Sequence, residues 1–167
     1  LSFEPNKTAE QLKRDYAKIS NVEDVWKNGY GWGNQLNILF LALARAAGIP
    51  ADYVLVSRRD QYFFKPQLKD SSSLDDAVVL VKLDGKDLFL DPATAFCPFG
   101  ILPWAESGVQ GRRLDKEGGS WLTTSQSSSA ESKVIRKADL KLSTEGGLEG
   151  KVAVSYTGVE ALNLRLA

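Results

Sequence analysis

The chain has one cysteine, Cys97, and no histidine. Without an imidazole, Ser-His-Asp and Cys-His nucleophilic catalysis and every His-containing zinc site are excluded. A single thiol excludes an internal disulfide and a thiolate zinc cage, and it leaves the redox compartment open. Cys97 lies in AFCPFG, between two aromatics and a proline. As a displaced nucleophile it would need a base, and a carboxylate is poorly matched to a thiol of pKa about 8.5. The plainer reading is a buried structural cysteine, acting as a small apolar side chain.

The other chemical candidates are carboxylates. DAVVLVKLDGKDLFLDP reads as two strands joined through Asp84-Gly85, a strong hairpin signal. A two-residue turn there sets Lys82 opposite Asp87 and Val78 opposite Asp91. Asp76 and Asp91 then become diagonal neighbours on one side of the sheet. Such a pair could share a proton, or hold a hard cation given further oxygen ligands. Paired carboxylates about 5 Å apart also serve retaining glycosidases. The plainer reading makes Asp91 a strand terminator that accepts backbone N–H bonds, with Asp76, beside Asp75, facing water. No cofactor and no metal are expected.

The third candidate is the turn GYGWGNQ ahead of an apolar helix. Gly33 could let a ligand approach the helix start closely. Tyr30 and Trp32 could line a groove for a peptide or glycan, or pack as lids on the core. Asn34 is expected to cap the helix, and Asn34 and Gln35 could donate to a bound carbonyl. Tyr62-Phe63-Phe64 reads as a loop anchor or an exposed recognition patch. Phe96, Phe99 and Trp104 read as packing, and Arg112 and Arg113 as a solvated edge.

These residues need elements to hold them. Thr8 with Gln11 resembles a capping box, and a helix is expected from about Ala9 to Ile19. Asn21 and Asp24 start a short helix, VEDVWKN, that stops at Gly29. The next helix, Gln35 to about Ala47, is apolar nearly all round and is expected to be buried, ending at Gly48-Ile49-Pro50. ADYVLVS is a strand, and the segment from Ala93 to Leu114 reads as an irregular wrap. The expected organisation is a core over 1–120, a flexible Ser-rich linker over 121–133, and a β-hairpin over 134–167. A lone hairpin is marginal in water. It should lean on the core or open a following β-rich domain.

Composition bounds the rest. The 167 residues are 43% apolar and 10% aromatic, enough for a core of ordinary size. Lys+Arg and Asp+Glu are each 21, and no basic run interleaves with aromatics, so no nucleic-acid partner is expected. No apolar run approaches the roughly 20 residues of a membrane span. The chain lacks Met and its first residues do not form a signal peptide, so it is expected to be a piece of a longer protein.

DVWKNGYGWGNQLNILFLALARAAGIPA followed by DDAVVLVKLDGKDLFLDPAT resembles the transglutaminase-like, papain-like core. The resemblance runs from about Asn21 to Leu114. It implies an α+β fold, with a buried helix packed on an antiparallel sheet. It also implies a Cys-His-Asp triad, whose positions fall on Gly33, Asp76 and Asp91 here; only the aspartate is retained. The expectation is a catalytically inactive domain, serving as a binding or structural module in a larger bacterial protein, periplasmic or extracellular. Its relict cleft would comprise Tyr30, Trp32, Gly33, Asn34, Asp76 and Asp91, with a peptide or glycan ligand and the flanking domains as partners. The alternatives are an active hydrolase or acyl transferase using Cys97 or the Asp76/Asp91 pair, and a rigid spacer with no ligand.

Overall fold

The structure is a computed structural model that describes residues 8–16, 19–62, 64–68 and 71–167. Three helices come first: α1 (Ala9–Tyr16), α2 (Val22–Asn28) and α3 (Gly33–Ala46). Local chemistry sets their ends. Thr8 and Gln11 exchange backbone and side-chain bonds at 2.8 and 3.2 Å, the reciprocal cap. Asn21 Oδ1 accepts the Asp24 N–H at 2.9 Å, and Gly29 closes α2 at φ 71°. The Gly48 N–H reaches Arg45 O and the Ile49 N–H reaches Ala44 O, with Gly48 at φ 77°, a Schellman ending for α3.

Two expectations about α3 fail. Its N-cap is Trp32, so Asn34 lies inside the first turn. The donor that needs a partner there is the Trp32 N–H, and Gln35 Oε1 takes it at 2.8 Å. Nor is α3 buried all round: Leu36, Asn37, Leu41 and Ala44 are buried, whereas Ile38 and Leu43 are exposed. Apolar content marked the helix correctly but could not show which side has a cover.

The sheet has five antiparallel strands in the order β3-β2-β1-β4-β5: β1 (Ala51–Val56), β2 (Asp76–Leu83), β3 (Lys86–Leu90), β4 (Gln110–Arg113) and β5 (Ser120–Thr123). Lys82 pairs with Asp87 across Asp84-Gly85, whose φ values of 50° and 74° suit a hairpin turn of the primed kind. Alternation then splits the core into two layers. Val79, Val81 and Leu90 pack with Leu41 and Ala44 of α3. Val54, Val56, Val78, Leu80 and Phe89 pack with Leu102 and Val109, brought across the opposite face by the segment after β3. β2 is therefore buried on both sides, which explains its unbroken apolar run.

That segment and its continuation are more ordered than expected. β4 sits inside the sheet between β1 and β5, so Arg112 and Arg113 are not a solvated edge. The start of the expected linker belongs to the core. Trp121 lies in β5, Thr124 is 3% exposed, and Thr124 Oγ1 bridges Glu106 O (2.6 Å) and the Val109 N–H (3.0 Å). Phe96, Phe99 and Trp104 are 68%, 73% and 54% exposed, so they are not the packing of the wrap.

The last unit is a two-stranded hairpin, β6 (Val134–Leu142) with β7 (Leu148–Tyr156), followed by α4 (Gly158–Leu166), a helix that the sequence reading missed. The hairpin does not lean its faces on the core, since Leu140, Leu142, Leu148, Val152 and Val154 are all exposed. Its base is tied instead: Thr157 Oγ1 donates to Glu131 O and accepts the Lys133 N–H, both at 3.0 Å, and Leu162 of α4 is fully buried. Among the described residues no helix is long and apolar enough to cross a membrane.

Candidate functional site: a buried carboxyl cluster beside the lone thiol

Asp76 opens β2 opposite Val56, and so it shares the face of Val78 and Leu80. Asp91 follows β3 directly and is 6% exposed. Its Oδ1 accepts the N–H groups of Ala93 (3.0 Å) and Thr94 (3.3 Å), as the plainer reading of a strand terminator expected. Asp76 does not simply face water. Its side chain is 27% exposed, its Oδ1 accepts the Ala77 N–H at 2.8 Å, and its Oδ2 lies 3.9 Å from the Arg58 guanidinium. Arg58 is engaged more closely by Asp60, at 2.8 and 3.1 Å, so it only partly balances Asp76. Burial and then the charge of Asp91 raise the Asp76 carboxyl above the ordinary range.

The register expected from the hairpin therefore brings the two aspartates into electrostatic contact. A third carboxyl joins them. Glu106, in the short turn of helix Trp104–Glu106, is 5% exposed, and its Oε2 has no hydrogen-bond partner among the described residues. Burial, reinforced by Asp91 and Asp76, pushes it up to about 9, so it is a protonated acid at neutral pH. No spacing rule pointed to Glu106, because an irregular segment carries it to the sheet. Thr124, which holds the Glu106 carbonyl, is what fixes that segment in place.

Cys97 lies within the field of the same carboxyls. Its thiol donates to Ile101 O at 3.1 Å, and it is neither fully buried nor exposed. Burial first, then Asp91 and Glu106, push it up to about 12. A thiol is activated by positive surroundings, and these are negative. At pH 7 the thiolate fraction is on the order of 10⁻⁵, a thousandfold below an unperturbed cysteine.

The amino end of α3 meets this cluster only at its margin. A Cβ on Gly33 would lie 3.4 Å from the Ala93 Cβ, two residues beyond Asp91. The face to which Asp76 belongs is the one opposite α3. Tyr30 packs with Ile19, Val25 and Leu36, as a core lid. Trp32 is 56% exposed at the helix start, and Asn34 is exposed in the first turn. The expected cleft residues thus divide: Asp76 and Asp91 come together, Gly33 lies beside Ala93 and apart from Asp76, and Tyr30 turns inward. Phe63 of the aromatic knot lies outside the described residues.

Asn37 is a further buried group that was missed. It is fully buried one turn into α3, where its Nδ2 donates to Ala77 O at 2.7 Å and its Oδ1 has no partner among the described residues. A polar residue inside LNILFLA was the available signal. It ties α3 to the residue next to Asp76.

In chemical terms the cluster holds one buried neutral acid, one carboxyl seated on backbone donors and one partly exposed carboxyl. It can move a proton, but it offers no activated thiolate. Among the described residues no group of three His, Cys, Asp or Glu side chains is arranged to hold a metal ion. No protein-family model matches the chain, and neither a curated protein nor a solved structure matches it.

Proposed function

We propose that the chain is a transglutaminase-like domain without thiol catalysis, acting as a binding or structural module within a larger bacterial protein. The observation that carries this reading is the state of Cys97: its proton is held on Ile101 O, and two carboxyls oppose its ionisation. The antiparallel sheet backed by α3, the retained Asp91 and the approach of Gly33 to Ala93 support the family assignment. The ligand would be a peptide or glycan lying over Trp32 and the start of α3. On the same resemblance, the parent protein would lie in the periplasm or outside the cell.

The rival reading is a hydrolase or acyl transferase of the same superfamily. The convergence of Asp76, Asp91 and Glu106 favours its carboxylate form over its thiol form. A neutral acid beside an ionised partner is the division of labour that acid–base hydrolysis needs.

One set of measurements separates them. Peptides and peptidoglycan fragments are expected to raise the melting temperature of the chain, and Trp32→Ala is expected to abolish that rise. Turnover of p-nitroanilide amides and transfer of glutamine acyl groups to amines are expected to be absent. Turnover lost in Cys97→Ala, or in Asp76→Asn, would overturn the proposal.

A further inference from the structure

Away from that cluster, the loop after β1 and the start of β4 border an open pocket of about 280 Å³, near the lower end for small-molecule sites. Ser57 lines it at the end of β1, Arg59, Tyr62 and Phe64 follow in the loop, and Val109 and Gln110 close it. Ser57 is 2% exposed, and its Oγ has no hydrogen-bond partner among the described residues. A buried hydroxyl without a partner costs free energy in the folded chain, and a polar group entering the cavity would remove that cost.

The walls are aromatic and the flanks are cationic. The Arg59 guanidinium lies 4.4 Å from the centre of the Trp104 ring, and its Nε donates to Trp104 O at 2.6 Å. This fixes Arg59 between the first cavity and a second, of about 330 Å³, whose far wall is α4. On the other side, Phe64 stands 5.6 Å from Trp121, and Arg112 lies 5.1 Å from the Trp121 ring. Trp104, Tyr62 and Trp121 all remain partly open to solvent. The result is a strip of rings with an arginine toward each end. Three acids stand near it: Glu160 on the α4 wall of the second cavity, Asp60 next to Arg59 and paired with Arg58, and the buried Glu106 two residues after Trp104.

We propose that the strip from Trp104 to Trp121, with Ser57 at its floor, binds a saccharide that carries carboxylate groups. Sugar rings present C–H faces that lie flat on aromatic rings, and hydroxyls that require fixed hydrogen-bonding partners. Ser57 supplies a hydroxyl, and Gln110 supplies an amide already held by Thr123 Oγ1 at 2.8 Å. A neutral sugar would use only the rings, Ser57 and Gln110. A carboxylate also engages Arg59 and Arg112, whose planar guanidinium groups suit it. This site is separate from the start of α3, so it stands or falls independently of the function proposed above.

Titration of the full chain with tetragalacturonate, followed by tryptophan fluorescence and calorimetry, tests the inference. Saturable binding is expected, weakening as salt is added. Cellotetraose, the uncharged control, is expected to bind at least tenfold more weakly. Ser57→Ala and Arg59→Gln are each expected to lower the affinity for tetragalacturonate at least tenfold. The melting temperature of Ser57→Ala should not fall, because that change removes an unsatisfied hydroxyl. Failure of tetragalacturonate to bind, equal affinity for both sugars, or undiminished affinity in Ser57→Ala would overturn the inference.

Discussion

The charge of Asp91 adds to the burial of Glu106 in keeping that side chain protonated, and one Glu106 carboxyl oxygen has no hydrogen-bond partner among the described residues. This relationship makes stability depend on pH in a definite direction. The folded chain binds the Glu106 proton up to about 9, whereas the unfolded chain releases it near 4.5. The native state therefore holds more protons through that window. Stability contributed by the neutral acid is present below the window and is lost as pH rises across it, at up to about 1.4 kcal/mol per pH unit. Asp76, also raised, acts in the same direction. Glu106→Gln, which stays neutral, is expected to flatten the dependence and to raise the melting temperature at pH 8. Thermal unfolding of both proteins from pH 5 to pH 9 checks this; parallel curves would contradict it.

Cys97 makes a second measurable prediction. With the thiol pushed up to about 12 from an ordinary 9, its thiolate is about a thousandfold scarcer than in the unfolded chain. Alkylation by iodoacetamide at pH 7 is expected to be about a thousandfold slower in native protein than in urea. Its rate should still be climbing at pH 10, where a free cysteine has levelled. Cys97→Ala should remain folded, because among the described residues the thiol's one hydrogen bond is to Ile101 O and Cys97 itself is only partly buried. A fast native rate at neutral pH would revive the thiol form of the enzyme reading.

Asn37 predicts a stability effect on the other face of the sheet. Its Nδ2 is the side-chain donor to Ala77 O, and the whole residue is buried between α3 and β2. Asn37→Ala removes that donor and leaves a small void, so a loss of about 2 to 3 kcal/mol is expected. Asn37→Leu fills the space and removes the unpartnered Oδ1, so it should cost about 1 kcal/mol less. Urea unfolding of the three proteins at constant slope measures the difference.

Legibility divided along the line between local and non-local chemistry. The caps at Thr8, Asn21 and Gly48 and the hairpin at Asp84-Gly85 rest on bonds within a few residues, and each was readable from the sequence. The diagonal placement of Asp76 and Asp91 followed because the turn sets the register. Glu106 was not readable, since the segment carrying it is fixed by Thr124, 18 residues on, inside a stretch whose serines suggest a linker. The exposure of Phe96 and Phe99 was missed for the opposite reason. Aromatic residues between prolines look like packing until a structure shows that nothing covers them. Helix α4 was overlooked although Thr157 and Glu160 have the spacing of a helix start; in the structure the Thr157 hydroxyl does not cap α4 but ties Glu131 O to the Lys133 N–H.

The start of α3 supplies the last prediction. Gly33 has an ordinary backbone conformation, is exposed, and a side chain there would meet only the Ala93 Cβ at contact distance. Its glycine is therefore not required by the fold, and Gly33→Cys in a Cys97→Ala background is expected to melt within about 2 °C of that parent. The new thiol would stand at a helix amino terminus, where the unsatisfied N–H groups and the dipole favour an anion. It should alkylate at pH 7 at least tenfold faster than native Cys97, which faces Asp91 and Glu106 instead. Mass spectrometry of timed iodoacetamide labelling gives both rates. Equal rates would mean that the field of the carboxyl cluster reaches the helix start as well. The separation of Gly33 from the face that holds Asp76 would then have to be abandoned.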